Sequence, residues 1–276
     1  IWGTSFVMMK DMTAFFTPSW LLAIRFGISA LLMVVITWPR RKLWLDRGYV
    51  RATAVISIFY AMAWYTQTLG LVYTTPGKNA FLTATYCVIV PFVLWFMFRN
   101  KPRGLSFLAA GVCLTGIGLI SLDSGLTINV GDLLTLVGAL FYAMQIVFYD
   151  RYVEDRDPLV LTGMQFVGVA GINLVLALLT ETLPNFAPLA LADWATLAYL
   201  IVFCTVIALI LQGVGQKHLP APTCALLLSL ESVFGAAFSV AVGAEVLSAR
   251  VLLGFVLVFA AVVISEAGPS VMRKRF

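Results

Sequence analysis

Glu231 is the side chain with the strongest claim to chemistry in this chain, because it stands nine residues past Pro222 inside an apolar run that continues to Val242. If that run is a helix, a rise of about 1.5 Å per residue sets its carboxyl near the middle of a bilayer. A carboxylate at that depth costs roughly 2.5–3.5 kcal/mol on insertion scales, so it must face protein or a watery cavity. It can serve there as a contact for a substrate amine, as a proton carrier, or as a structural group that ties its helix to its neighbours. Arg25, about a third of the way into the run from Pro18 to Trp38, has a similar choice. Its guanidinium can hold a carboxylate or phosphate through two parallel hydrogen bonds, or snorkel outward and pin helix ends together. Lys78, directly after Pro76-Gly77, can guard a cavity mouth or snorkel at the interface.

Polar and aromatic residues recur on several apolar runs at a spacing of three: Trp2 with Ser5, Trp64 with Gln67, Thr83 with Tyr86, and Tyr142 with Gln145. Residues three apart share a helix face. With Gln165, Gln212 and Ser229 they predict one polar seam lining a central cavity. Singly, each is more readily an interhelical hydrogen bond, worth about 0.6 kcal/mol on average. As a set drawn from both halves of the chain, they call for a cavity.

Other chemistries find little support. Cys87, Cys113, Cys204 and Cys224 lie in apolar segments at no metal-ligand spacing, and His218 is the single histidine, so no metal site and no cofactor are expected. The stretch from Gly70 to Lys78 differs from a phosphate loop, since six residues rather than four separate Gly70 from Gly77 and Asn79 replaces the hydroxyl residue. Glu154, Asp155 and Asp157 form the acidic cluster, which reads as a solvated loop rather than the paired acids of a membrane-embedded enzyme.

The elements that must carry these residues follow from composition. The 276 residues are 61% hydrophobic and 11% charged, against roughly 25% charged in soluble domains. A crossing needs about 20 apolar residues, which leaves room for ten helices: Ile1–Met9, Pro18–Trp38, Val50–Tyr73, Pro76–Phe98, Leu105–Leu122, Asp132–Phe148, Leu159–Thr180, Trp194–Gln212, Pro222–Val242 and Val251–Ala267. The apolar opening Ile1-Trp2-Gly3 is expected to lie within the first helix and lacks the features of a signal peptide. Basic residues cluster after every second helix: Arg40, Arg41, Lys42, Arg47 and Arg51; Arg99, Lys101 and Arg103; Arg151 and Arg156; Lys217; and Arg273, Lys274 and Arg275. The positive-inside rule then puts both termini in the cytoplasm. The same bias explains the net charge of +5, so no nucleic-acid partner is implied.

The chain also repeats itself. Gln67, Gly70 and Pro76 are matched by Gln212, Gly215 and Pro222, and Arg25-Phe26 by Gln165-Phe166. Five helices per copy is an odd number, so the second copy must enter the membrane from the opposite side. The predicted fold is an all-α membrane protein of two inverted five-helix repeats, residues 1–122 and 132–276, joined by residues 123–131. In inverted-repeat carriers the substrate site lies near midplane between the halves.

Trp2-Gly3-Thr4-Ser5-Phe6 followed by Lys10, then Arg25-Phe26, Gly70-Leu71 with Tyr73-Thr74-Thr75, Leu228-Ser229-Leu230-Glu231 and Gly243-Ala244-Glu245 together resemble the ten-helix EamA branch of the drug/metabolite transporter superfamily. Two positions depart from it: Ser232 stands where the family commonly has proline, and Arg99 is the first-half counterpart of Glu245. The resemblance implies a secondary transporter in a bacterial inner membrane, often an exporter of amino acids, related metabolites or drugs. A facilitative exchanger or uptake carrier for sugars, phosphorylated sugars or nucleotide sugars is the alternative. The expected partners are a small-molecule substrate and the lipid bilayer. Gly111, Gly116 and Gly118 permit close helix contact within a monomer or across a homodimer.

Overall fold

The structure is a computed structural model that describes residues 1–102, 104–121, 129–244 and 248–266. Arg103, Leu122, Asp123, Glu245, Ala267, Arg273, Lys274 and Arg275 lie outside the described residues. The described chain is helical and contains no strand: α1 (Trp2–Met12), α2 (Pro18–Ile36), α3 (Arg47–Tyr73), α4 (Pro76–Ala84), α5 (Tyr86–Phe98), α6 (Gly104–Ser121), α7 (Val130–Val153), α8 (Pro158–Thr180), α9 (Leu191–Ile201), α10 (Ala208–His218), α11 (Ala221–Ser229), α12 (Glu231–Ala241) and α13 (Ala249–Glu266). A 3₁₀ turn, Trp38–Leu45, follows α2, and a π-helical segment, Val202–Ile207, joins α9 to α10.

Among the described residues seven helical spans are long and apolar enough to cross a bilayer, and Gly104–Ile120 and Ala249–Ser265 are shorter apolar helices. Their outer surfaces carry Leu31, Val35, Phe96, Leu114 and Leu179, all exposed, while Gln145, Gln165, Asn79 and Asp132 are buried. Apolar outside and polar inside is the arrangement a bilayer selects. This is a membrane protein.

Several helix starts lie one to three residues earlier than the apolar runs suggested, and side-chain caps account for three of them. Asp46 accepts from the backbone of Gly48 and Tyr49, Asn129 from Gly131, and Asp157 from Leu159 and Val160. Each satisfies amides that a bare helix start leaves without partners.

Two spans predicted as continuous are bent. Pro76–Phe98 is interrupted at Thr85 and Ala221–Ala241 at Leu230, both residues keeping right-handed helical dihedrals. Neither interruption is a proline. Instead, Thr85 Oγ1 donates to Leu82 O at 2.6 Å, Ser229 Oγ to Leu226 O at 2.7 Å and Ser232 Oγ to Ser229 O at 2.7 Å. Hydroxyls that bond back to the preceding turn compete with the helical ladder and bend it. Ser232, the departure from the family's proline, therefore belongs to a bend made by other means.

The largest packing partners are α3 with α7, α6 with α13, and α2 with α8, while α12 lies against α4 and α1. The α6–α13 contact rests on Gly116, where a Cβ would strike the backbone of Gly254 and the side chain of Val258. That glycine serves a contact within the chain. Gly111 has nothing within 4 Å of its Cβ position. At the end of the bundle carrying Arg40 and Asp157, Tyr49, Ile56, Tyr149, Leu161 and Met164 pack into an apolar cluster that closes the gap between α3, α7 and α8. Arg40 and Asp157 pair across it at 3.2 Å.

Candidate functional site

The central cavity has a volume of about 50 Å³. α1 brings Trp2 and Ser5 to it, α3 brings Trp64 and Gln67, α4 and α5 bring Thr83 and Tyr86, α7 brings Tyr142, α10 brings Gln212, and the first residue of α12 is Glu231. Three of the four predicted three-residue pairs thus line the cavity together. The bend at Thr85 does not separate Thr83 from Tyr86.

A chain of hydrogen bonds fixes one wall. Tyr142 OH donates to Gln67 Oε1 at 2.8 Å, and Gln67 Nε2 donates to Thr83 Oγ1 at 2.9 Å. The Gln67 amide is thereby oriented at both ends by neutral partners. Asn79 Nδ2 reaches Gln67 O at 3.2 Å and Thr135 Oγ1 at 2.7 Å, which ties α4 to α3 and α7. The rings of Tyr60, Trp64 and Tyr142 meet edge to face with centroids 5.9–6.0 Å apart, the arrangement aromatic quadrupoles prefer. Against this aromatic wall the Glu231 carboxylate is only partly covered, and it accepts from Tyr86 OH at 3.3 Å. It has acceptor capacity to spare.

Arg25 is not in the cavity wall. Its side chain is fully buried, which excludes outward snorkelling. Nε donates to Thr205 Oγ1 at 2.5 Å, one terminal nitrogen to Cys204 O at 3.2 Å, and the other lies 3.2 Å from Met9 Sδ. The guanidinium carbon stands 4.5 Å from the centroid of Trp64, within cation–π range. The π-helical segment makes this possible, because widening the turn leaves the Cys204 carbonyl to accept from both Arg25 and Trp2 Nε1, the latter at 2.8 Å. A single inserted π turn is a recurrent feature of functional regions in helices, and nothing in apolar periodicity reveals it.

Three other predicted residues also fall elsewhere. Gln145 and Gln165 line a smaller compartment that Gln212 shares. Three residues along a helix turn the side chain by 300° and advance it about 4.5 Å, so Gln145 can leave the face that Tyr142 occupies. Ser229 is buried with its hydroxyl spent on Leu226 O. Tyr60 and Asn79, which were not predicted, line the cavity four residues before Trp64 and Thr83 respectively. Extending each pair by one turn would have found them.

At the opposite end from Arg40, Lys10 spends its ammonium on the carbonyls of Leu71, Val72 and Thr74 at 2.6, 2.8 and 3.1 Å. A cation on the last carbonyls of α3 complements the helix dipole. Thr74 Oγ1 in turn donates to the fully buried Asp132 at 2.5 Å. Lys78 lines a hollow at this end together with Lys10, Asp11 and Thr75. Among the described residues no three His, Cys, Asp or Glu side chains gather as a metal site would require.

Comparison with known proteins agrees with this arrangement. The model of the EamA-like transporter family matches residues 1–122 and again residues 129–266. An uncharacterized transporter of Archaeoglobus fulgidus is 30% identical over 266 residues, covering 96% of this chain and 82% of that protein. The uncharacterized transporter YyaM of Bacillus subtilis is 29% identical, covering 93% and 87%. A solved crystal structure superposes with a TM-score of 0.72 at 16% identity over 96% of this chain and 92% of its own, which supports the fold. The chain belongs to the EamA-like transporter family and is a membrane transporter.

Proposed function

We propose that the protein is a proton-coupled secondary transporter that exports small organic solutes, amino acids or related metabolites or drugs, by alternating access through the central cavity. The observation that carries this reading is the Glu231 carboxylate, with unspent hydrogen-bonding capacity, on the wall of an aromatic and amide-lined cavity inside an apolar bundle. An acid in such a place is costly and tends to be kept for a substrate or a proton. The rest of the reading is a ten-helix bundle of two inverted repeats, residues 1–122 and 132–276 joined by 123–131. The tandem family match supports it, as do the bends at Thr85 and Leu230, placed 145 residues apart. With the basic loops inside, the Arg40 end is cytoplasmic, the Lys10 end faces outward, and the membrane is the bacterial inner membrane. The apolar cluster at Tyr49 and Ile56 is then the closed inner gate.

Uptake into proteoliposomes of a defined mixture of amino acids, read by mass spectrometry, tests this. Ser5→Trp fills the cavity from α1 and should bring uptake down to that of protein-free vesicles while the folded bundle persists by circular dichroism. Uptake equal to wild type in that variant would mean that solutes do not pass through the cavity.

A further inference from the structure

On the Arg40 side of the cavity lies a second compartment of about 10 Å³, room for one water-sized group. Gln145 of α7, Thr162 and Gln165 of α8, and Gln212 and Gln216 of α10 line it together with Tyr149, and Gln212 also lines the main cavity. The lining contains no charged side chain. Several of its polar atoms are spent: Tyr149 OH and Thr162 Oγ1 bond each other at 2.8 Å, Gln212 Nε2 donates to Gln216 Oε1 at 3.3 Å, and Gln216 Nε2 donates to Ile146 O at 3.3 Å. Two are not. Gln145 Oε1 and Gln165 Nε2 have no partner, although each side chain is only 2% exposed.

An unmet buried donor or acceptor is expensive, and here one of each kind borders the same small space. Exchanging the oxygen and nitrogen of both amides would leave the pair just as complementary. We propose that this compartment is a second station on the solute's path and that it takes a neutral, water-sized group able both to donate and to accept, a hydroxyl. The inference rests on the transport reading above and narrows its substrate class. An ionised head group is excluded, since a charge brought there would lose its water and meet no counter-charge. The charged part of a solute stays at the level of Glu231 while its neutral polar tail enters the compartment. Gly213 completes the wall: a Cβ there would strike Tyr149 OH and Thr162 Oγ1, so glycine lets α10 close against that hydroxyl pair.

The test compares shape-matched solutes within one vesicle sample: threonine against valine, and serine against 2-aminobutyrate, taken up from an equimolar mixture by proteoliposomes of the full chain. Wild type should prefer the polar member of each pair. Gln145→Met and Gln165→Met keep side-chain length and remove an amide, and each should lower both preferences by about tenfold. Because the readout is a ratio within a sample, differences in the amount of inserted protein cancel. Equal ratios in wild type and both variants, or no preference in wild type, would overturn the station while leaving transport intact. If wild type takes up none of the four solutes above protein-free vesicles, the transport reading fails for amino acids, and the station falls with it.

Discussion

The guanidinium of Arg25 touches Thr205, the Cys204 carbonyl, the Met9 sulfur and the face of Trp64, and no part of it reaches the cavity or the surface. The carboxylate of Glu231 receives a bond from Tyr86 and borders open space. Both are ionisable groups inside an apolar bundle, but their surroundings differ in one decisive respect. Each nitrogen of Arg25 already has a neutral protein partner, in a fully buried setting that a substrate would have to open. Glu231 has oxygen lone pairs left for a ligand or a proton. Depth in the membrane does not separate a charge that holds the fold from one that works; unspent hydrogen-bonding capacity does.

That contrast can be broken by substitution, and the largest effect on stability is expected at the arginine. Arg25→Met should lower stability by about 2–4 kcal/mol, read as a lower melting temperature in detergent, because it removes the cation from Trp64 and leaves polar groups of the π segment with fewer partners. A melting temperature equal to wild type would deny Arg25 its structural role. Thr205→Val, which keeps shape and deletes the acceptor of Arg25 Nε, should cost about 1.5–3 kcal/mol by the same measurement. Tyr86→Phe sharpens the other side. Losing one 3.3 Å bond to a group that faces the cavity should change stability by less than about 1 kcal/mol, while transport changes in rate. Arg40→Ala, at an exposed ion pair, should cost about 0–1 kcal/mol, and that loss should shrink with added salt.

Much of this was legible in the sequence for identifiable reasons. Apolar runs gave the spans, because a bilayer demands length and dryness. Spacing by three gave most of the cavity wall, because Trp2 and Ser5, Trp64 and Gln67, and Thr83 and Tyr86 each share a helix face. What could not be read was local and hydrogen-bonded. The bends at Thr85 and Leu230 come from serine and threonine bonding back along the helix, which leaves apolar periodicity almost unchanged. The π segment at Val202–Ile207 lies in a continuous apolar run and shows itself only through what Arg25 and Trp2 do with Cys204. Gln145 was assigned the same face as Tyr142, but a turn of 300° allowed it into a different compartment.

The most direct test of Glu231 separates coupling from passage. Proteoliposomes of wild type and Glu231→Gln would be compared in two modes with the same transported solute: accumulation driven by a pH gradient, and exchange between equal pools with no gradient. Loss of gradient-driven accumulation in the glutamine variant, with exchange retained, is the predicted result, since the amide keeps the shape of the site and cannot carry a proton. Accumulation by Glu231→Gln equal to that of wild type would contradict it and return Glu231 to the class of residues that only hold the bundle together.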